Sequence, residues 1–422
     1  MGEGGTNWAG NVTYSAGRLR SPQTVQQVQA LVREARQVKA LGARHSFTDV
    51  ADSSDLLLTL DEMEPLLRLD RQRHTATINA GVRYGDLCRR LHREGYAIHN
   101  TASLPHISLA GACATGTHGS GDDNGNLATA VCGIELVTAG GELVTLTRER
   151  DGADFPGAVV ALGALGVVTT LTLGLVPAFE MRQEVYERLP LAHLEAHFDQ
   201  VLSAAYSVSL FTDWQGEQIA QVWLKRRIEE RAPPGPDFFG ATPAPGPRHP
   251  LTGHPPEACT AQLGEPGPWY DRLPHFRQES TPSAGQELQS EYLIPRRHAV
   301  AALRALTGMR EQLAPLLQIS EVRTVAADDL WLSPSYGQDS VALHFTWQPD
   351  GEGVRRLLPR LEERLDPLHA RPHWGKLFAT PAARLEALYP RLPDFRRLLQ
   401  RYDPQGTFRN PFVARHLFGR PA

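Results

Sequence analysis

The stretch 103–121, SLPHISLAGACATGTHGSG, restricts what this chain can fold into more than any other. Gly111, Gly116, Gly119 and Gly121 alternate there with Ala, Ser and Thr, so main-chain amides can approach a ligand without side chains in the way. Successive amides in such a loop form a concave nest for an anion, typically phosphate. The spacing is not a Walker A loop, because no Gly-Lys-Ser/Thr follows, and no G-x-G-x-x-G opens a helix. Taken alone, the run reads equally well as a plain structural loop. A second stretch, Gly42-Ala43-Arg44-His45-Ser46-Phe47, tilts that balance. It follows an apolar strand at 38–41 and presents a lone histidine in a glycine turn, upstream of the phosphate-type loop.

Composition narrows the class. At 422 residues the chain exceeds one ordinary core, so two domains are expected. A hydrophobic content of 41% with 21% charged residues predicts a soluble globular protein. The net charge of −4 offers no basic footprint for nucleic acid. No apolar run is long enough to span a bilayer, and the opening MGEGGTNWAGNVTY lacks the basic start and apolar centre of a signal peptide. Cys88, Cys113, Cys132 and Cys259 fall in no metal-ligand spacing and no disulfide framework. The expectation is a cytoplasmic protein with reduced thiols and no nucleic-acid, membrane or metal partner.

Ser21-Pro22 reads as an N-cap followed by proline in the first turn. Val25, Val28, Leu31, Val32 and Ala35 then recur at helical spacing, which predicts a helix over 21–36. Apolar runs at 38–41 and 55–60, alternation at 74–81 and an amphipathic pattern at 84–95 continue a small α+β unit. Alternation at 133–137 and 143–146 around Gly140-Gly141 predicts a hairpin. Gly163 and Gly166 enter a β-branched strand that ends near Pro177. Small residues there allow a flat ring to lie against the backbone, or simply let a strand pack on its neighbour.

Past Pro177 the texture changes. Helices are expected at 190–206, 297–317 and 354–369, and strands at 208–214, 219–224, 320–325 and 340–347. The Pro- and Gly-rich stretch 233–256 is long for a loop and is expected to be a surface excursion or lid. The predicted domains are 1–177 and 178–370, with 371–422 returning to the first.

Residues two apart in a strand share a face. Glu321 therefore points with Arg323, and His344 with Thr346, so two adjacent strands would offer a carboxylate, a guanidinium, an imidazole and a hydroxyl on one surface. Glu321 with Arg323 also reads as a solvent-facing ion pair. Lys376, set between aromatics in Pro372-His373-Trp374-Gly375-Lys376-Leu377-Phe378, is either a snorkelling surface residue or a fixed positive charge beside a developing anion.

Together these motifs resemble the vanillyl-alcohol-oxidase-type flavoproteins, and within them the bacterial alditol oxidases, which act on xylitol and sorbitol. The resemblance covers nearly the whole chain. It rests on Asn7-Trp8-Ala9-Gly10-Asn11, His45, 103–121, 163–169, Glu321-Val322-Arg323-Thr324, His344-Phe345-Thr346-Trp347 and His373-Trp374-Gly375-Lys376. It implies an α+β, two-domain PCMH-type flavoprotein. The FAD-binding domain would consist of two α/β subdomains, and the cap of an antiparallel sheet flanked by helices. It further implies FAD bonded covalently through an imidazole nitrogen of His45. Leu41, Gly42, Ala43, Arg44 and Ser46 would hold the cofactor from one side. Ser103, Ser108, Gly111, Thr115, Gly116, Thr117, His118, Gly119 and Gly121 would hold it from the other. Ile134, Gly163, Gly166 and Val168 would line the adenine and ring regions, with Lys376 near the ring.

Many relatives carry glycine before the linking histidine; with Arg44 there, the side chain must turn away from the diphosphate or pair with it. Some relatives add a cysteinyl bond to the flavin, but Cys113 sits inside the diphosphate loop and reads as a buried small hydrophobe. His106 and His118 read as loop-ordering residues rather than metal ligands. Ser103, Glu321, Arg323, His344, Thr346 and Lys376 match the family's polyol-contacting positions. A linear polyol has a hydroxyl on every carbon, so its groove needs donors and acceptors in a row.

The implied reaction oxidises the terminal C1 hydroxyl, with hydride passing to flavin N5. Arg323 and Lys376 would stabilise the developing alkoxide, and His344 would accept the proton. Dioxygen, admitted beside the small Ala102, would take the electrons and give hydrogen peroxide. The expected partners are a polyol and O2, acting on a monomer. The alternative is an aldonolactone oxidase or dehydrogenase of the gulono- or arabinono-1,4-lactone type, whose compact ring would suit a shorter groove.

Overall fold

The computed structural model describes residues 4–230, 237–280 and 287–420. Its N-terminal part holds two sheets. In the first, Arg18–Arg20, Leu56–Leu58 and Val38–Ala40 lie parallel in that spatial order. Val38, Leu56 and Leu58 pack on Val28 and Val32 of the helix Val25–Glu34. That helix begins later than Ser21-Pro22 predicts. Thr24 is its N-cap, and its hydroxyl accepts from the Gln27 amide at 3.3 Å.

The second sheet is antiparallel, in the order Leu67–Asp70, Thr75–Asn79, Val167–Gly174, Val131–Val137 and Leu143–Thr147. The predicted hairpin is present, turned by Gly141 at a φ of +73°. Gly163 and Gly166 stay in the loop before Val167, so the strand starts later than its glycines indicate. A Cβ on Gly166 would lie 2.5 Å from the Val137 carbonyl oxygen, so only glycine lets the loop press this closely on the sheet.

Beyond Pro177 the long strands join one antiparallel sheet. Its spatial order is Glu180–Pro190, Gln218–Arg227, Ser207–Thr212, Leu317–Val325, Ser340–Trp347 and Leu288–Pro295. The first and last of these escape sequence reading, whereas the middle ones fall where the alternation puts them. Leu194, Val201, Leu303 and Leu361 cover one face, packing with Val322, Leu343 and Phe345. Alternation therefore turns Glu321, Arg323, His344 and Thr346 to the opposite face. Both faces are buried along Leu317–Val325 and Ser340–Trp347, so the polar face has to be satisfied internally.

Part of the stretch expected as an excursion or lid, 233–236, lies outside the described residues. From 237 onward the chain is fixed against the sheet: Phe238 and Ala241 are buried, and Thr242–Pro243 pairs with Glu180–Pro190. It then runs to His275, whose amide donates to the Ser103 carbonyl at 3.0 Å. This segment is a wall of the central cavity. The helices Ala382–Leu388, Leu392–Tyr402 and Pro411–Phe418 return to the N-terminal core, where Leu385, Phe395 and Phe412 pack in one cluster with Leu109 and Phe155. Among the described residues no helix is long and apolar enough to cross a membrane. No group of three or more His, Cys, Asp or Glu among them could hold a metal ion.

Candidate active site

A cavity of about 320 Å3 runs from the N-terminal loops to the polar face of the large sheet. The strand Val38–Ala40 delivers the turn 42–46 to one end. Asn7 splints that turn: its Nδ2 donates to the Ser46 carbonyl at 2.9 Å and to Asn11 Oδ1 at 2.7 Å. Asn11 Nδ2 holds the Phe47 carbonyl at 2.9 Å. The Asn-Trp-Ala-Gly-Asn opening is thus the brace of the His45 turn. Arg44 has a φ of 61° and donates from its guanidinium to the Gly4 carbonyl at 2.7 Å, so its head turns away from the loop interior. Burial, with His106 and Arg83 nearby, pushes His45 down to about 4, which leaves its imidazole neutral at ordinary pH.

The stretch 103–121 is less uniform than its glycines imply, because Leu109–Ala114 forms a short helix. Ser108 Oγ accepts from the Ala43 amide at 3.3 Å. A Cβ on Gly42 would lie 2.2 Å from that oxygen, and one on Gly111 2.8 Å, so these glycines let the two loops touch. Leu41, Gly42, Ala43, Arg44, His45, Ser46, Ser103, Ser108, Gly111, Thr115, Thr117, His118, Gly163, Gly166, Val168 and Ala102 all line the cavity.

Gly116, Gly119 and Gly121 do not. Gly116 packs on Pro334, and Gly119 lies against the Thr101 carbonyl. Gly121, at a φ of +137°, donates to the Thr324 carbonyl at 3.0 Å and ties this stretch to the large sheet. Ile134 and Cys113 line a side pocket of about 30 Å3 that shares Gly163, Gly166 and Val168 with the main cavity. Cys113 is buried, 3.7 Å from the Tyr84 hydroxyl, and burial pushes its thiol up to about 12. His106 Nε2 bonds the Gln278 carbonyl at 2.8 Å.

At the other end, sheet register assembles the polar wall. Glu291, His344 and Glu321 lie side by side on three adjacent strands, with Gln289 and Thr346 paired in the neighbouring row. Glu291 is the hub. Its Oε1 accepts from Arg323 NH2 at 2.6 Å and its Oε2 from Lys376 Nζ at 2.7 Å, while His118 Nε2 is 3.3 Å away. Arg323 Nε lies 3.6 Å from Glu321 Oε2, and its NH1 reaches Ser103 Oγ at 3.4 Å. Burial works against ionising Glu291, but Lys376, His118 and Arg323 outweigh it and hold the carboxyl well below its usual range. Glu321 is likewise held low, by Arg323 and His275 against burial.

Burial, with Lys376 and Arg323 adding, keeps His344 well below the ordinary imidazole value and hence neutral. Its Nε2 faces Gln289 Oε1 at 3.1 Å, and Gln289 Nε2 donates to Glu287 Oε1 at 2.6 Å. The amide oxygen is therefore the group facing the ring, His344 donates from Nε2, and Nδ1 is a buried acceptor with no partner among the described residues. The structure thus brings Ser103, Glu321, Arg323, His344, Thr346 and Lys376 to one cavity. Sequence reasoning missed Glu291, Gln289 and His275. The alternation in QSEYLIP carries the signal for the first two, blurred by Tyr292 and the closing proline.

The cavity fits FAD. A Cβ on Gly163 would meet only the Lys39 side chain, at 3.7 Å, so nothing crowds the cavity wall there. Small residues and main chain line one end, as a diphosphate and a flat ring require, and ionised side chains line the other.

Fold and site together define a flavin-dependent oxidoreductase with an FAD-binding domain. A family model described as "FAD binding domain" matches residues 17–147, and one described as "D-arabinono-1,4-lactone oxidase" matches 285–416. An alditol oxidase of Streptomyces sp. (strain IKD472 / FERM P-14339) is 52% identical over 97% of each chain, and this chain belongs to the alditol oxidase family. An L-gulono-1,4-lactone dehydrogenase of Mycobacterium tuberculosis is 27% identical over 98% of each chain. Among solved structures, cholesterol oxidase from B. sterolicum shares the fold, with a TM-score of 0.76 at 15% identity, covering 98% of this chain and 96% of that one.

Proposed function

We propose that this enzyme oxidises the terminal hydroxyl of an alditol such as xylitol or sorbitol to the aldose, with O2 as electron acceptor and hydrogen peroxide as second product. FAD would supply the hydride acceptor and hand the electrons to dioxygen. Glu321 and the Gln289–Thr346 row give acceptors and donors spread over three adjacent strands, which suits a chain bearing one hydroxyl per carbon. Arg323 and Lys376 present fixed positive charge where an alkoxide would develop. Neutral His344, whose Nδ1 keeps an unpartnered lone pair, is the acceptor for the hydroxyl proton. Small Ala102, on the cavity wall, leaves room for O2.

Covalent attachment at His45 belongs to the same reading. A neutral imidazole has the lone pair that bond formation needs, and the Asn7 brace fixes its turn. The reading also includes a monomer in the cytoplasm, without nucleic-acid or membrane partners. An FAD-binding part would cover 1–177, a cap 178–370, and a segment 371–422 would complete the site with Lys376. The observation that carries the reading is the paired Glu291–Arg323–Lys376 cluster beside Glu321 and His344 in one cavity. The test is steady-state turnover under air with xylitol, sorbitol and a gulonolactone. Peroxide formed with the alditols and not the lactone supports it, whereas preference for the lactone overturns it.

A further inference from the structure

Lys225, on the strand Gln218–Arg227, is 1% exposed and has no part in the chemistry above. Its Nζ lies 2.6 Å from the Leu273 carbonyl, 2.9 Å from the Pro274 carbonyl and 3.0 Å from His275 Nδ1. Carbonyl oxygens only accept, so two N–H groups point at them and the third at Nδ1. The ring hydrogen of His275 then sits on Nε2, which is 2.8 Å from Glu321 Oε1. The opposite tautomer would set a lone pair against a carboxylate. Phe211 and Trp223 clamp the ring edge-on, with centroids 5.5 and 5.3 Å away. The His275 amide meanwhile donates to the Ser103 carbonyl at 3.0 Å. One residue thus holds Glu321 by its side chain and Ser103 by its backbone.

We propose that Lys225 and His275 are positioning residues for alditol recognition: Lys225 sets the tautomer of His275, and His275 fixes one oxygen of Glu321 so that the other meets an inner hydroxyl of the substrate. The proposal rests on the functional reading above. Burial pushes Lys225 down to about 7, with Glu321 and Cys259 opposing and Arg323 and Arg272 adding. The ammonium is therefore lost as pH rises past neutrality, and with it one of the two groups, Lys225 and Glu321, that hold the tautomer.

The test compares FAD-loaded wild type with Lys225→Met, His275→Phe and His275→Gln, on xylitol and on 1,5-pentanediol, which lacks inner hydroxyls. Lys225→Met and His275→Phe are expected to raise KM for xylitol about tenfold, with kcat and the diol rates little changed. The glutamine amide can replace Nε2–H, so His275→Gln is expected to recover most of that loss. The rise in wild-type KM above neutral pH is expected to vanish in Lys225→Met. Should Lys225→Met not fold, the contrast between His275→Gln and His275→Phe carries the test. Unchanged KM in the folded variants, or equal losses on xylitol and the diol, overturns the proposal alone. Wild type inactive on every alditol overturns the functional reading and the proposal with it.

Discussion

Lys376 Nζ and Glu291 Oε2 stand 2.7 Å apart although 85 residues of chain separate them. The Glu291 side chain is 1% exposed, so its charge is tolerated only because Lys376 and Arg323 both donate to it. Glu291→Gln takes the shared carboxylate from buried Arg323 and largely buried Lys376. It is expected to lower stability by about 3 kcal/mol, read by chemical denaturation, and to slow flavin bleaching by xylitol. Unchanged stability would mean that the cations find other partners.

Those cations are held in place by Glu291 before any substrate arrives, so they need no reorganisation as an alkoxide forms. Lys376→Met and Arg323→Ala are each expected to lower the anaerobic rate of flavin bleaching by about 10² to 10³-fold. Stopped-flow absorbance against xylitol checks this, and a normal rate in either variant removes that residue from the mechanism.

His45 is neutral, braced and on the cavity wall. Acid-precipitated protein is expected to keep its yellow colour, with flavin mass on the tryptic peptide that contains His45. His45→Ala is expected to release its flavin on precipitation. Flavin that leaves the wild-type pellet refutes the linkage.

Burial holds three further histidines neutral: His275 and His416 at about 4, and His373 at about 3. In the unfolded chain each binds its proton near the ordinary 6.5. Between these values the unfolded state holds more protons, so stability is retained above about pH 6.5 and falls as pH drops towards 4. Glu291 and Glu321, held low in the fold, push the same way below the ordinary carboxylate range. Denaturation midpoints across that window are expected to fall steadily. His275→Gln and His373→Gln should each flatten the slope, and a flat wild-type profile would refute the account.

Much of this site is legible from local pattern. Alternation along Leu317–Val325 and Ser340–Trp347 puts Glu321 with Arg323 and His344 with Thr346, and the sheet confirms the shared face. Glu291 is not legible in this way. Its place beside His344 comes from the pairing of strands distant in sequence, and its charge makes sense only with Arg323 and Lys376 already in place. His275 is harder still, since it follows a Pro- and Gly-rich run with no period to read. The glycines mislead for a different reason. Closeness to a ligand and closeness to another backbone select the same residue. Hence Gly119, pressed on the Thr101 carbonyl, looks in sequence like Gly42 and Gly163 on the cavity wall.

Arg44 supplies the last prediction. Its φ of 61° is a left-handed conformation that costs a side-chain-bearing residue about 1 kcal/mol or more. Two contacts hold it there: the Trp8 amide donates to its carbonyl at 2.9 Å, and its guanidinium bonds the Gly4 carbonyl at 2.7 Å. Arg44→Gly removes the strain and the guanidinium bond together, two terms of about 1 kcal/mol each, so little net change in melting temperature is expected. Arg44→Ala keeps the strain and loses the bond, and is expected to melt below both. Flavin attachment should survive in either variant, because the backbone bond from Trp8 and the Asn7 brace remain. Equal melting temperatures for the glycine and alanine variants would show that the turn relaxes out of the left-handed region once the arginine is gone.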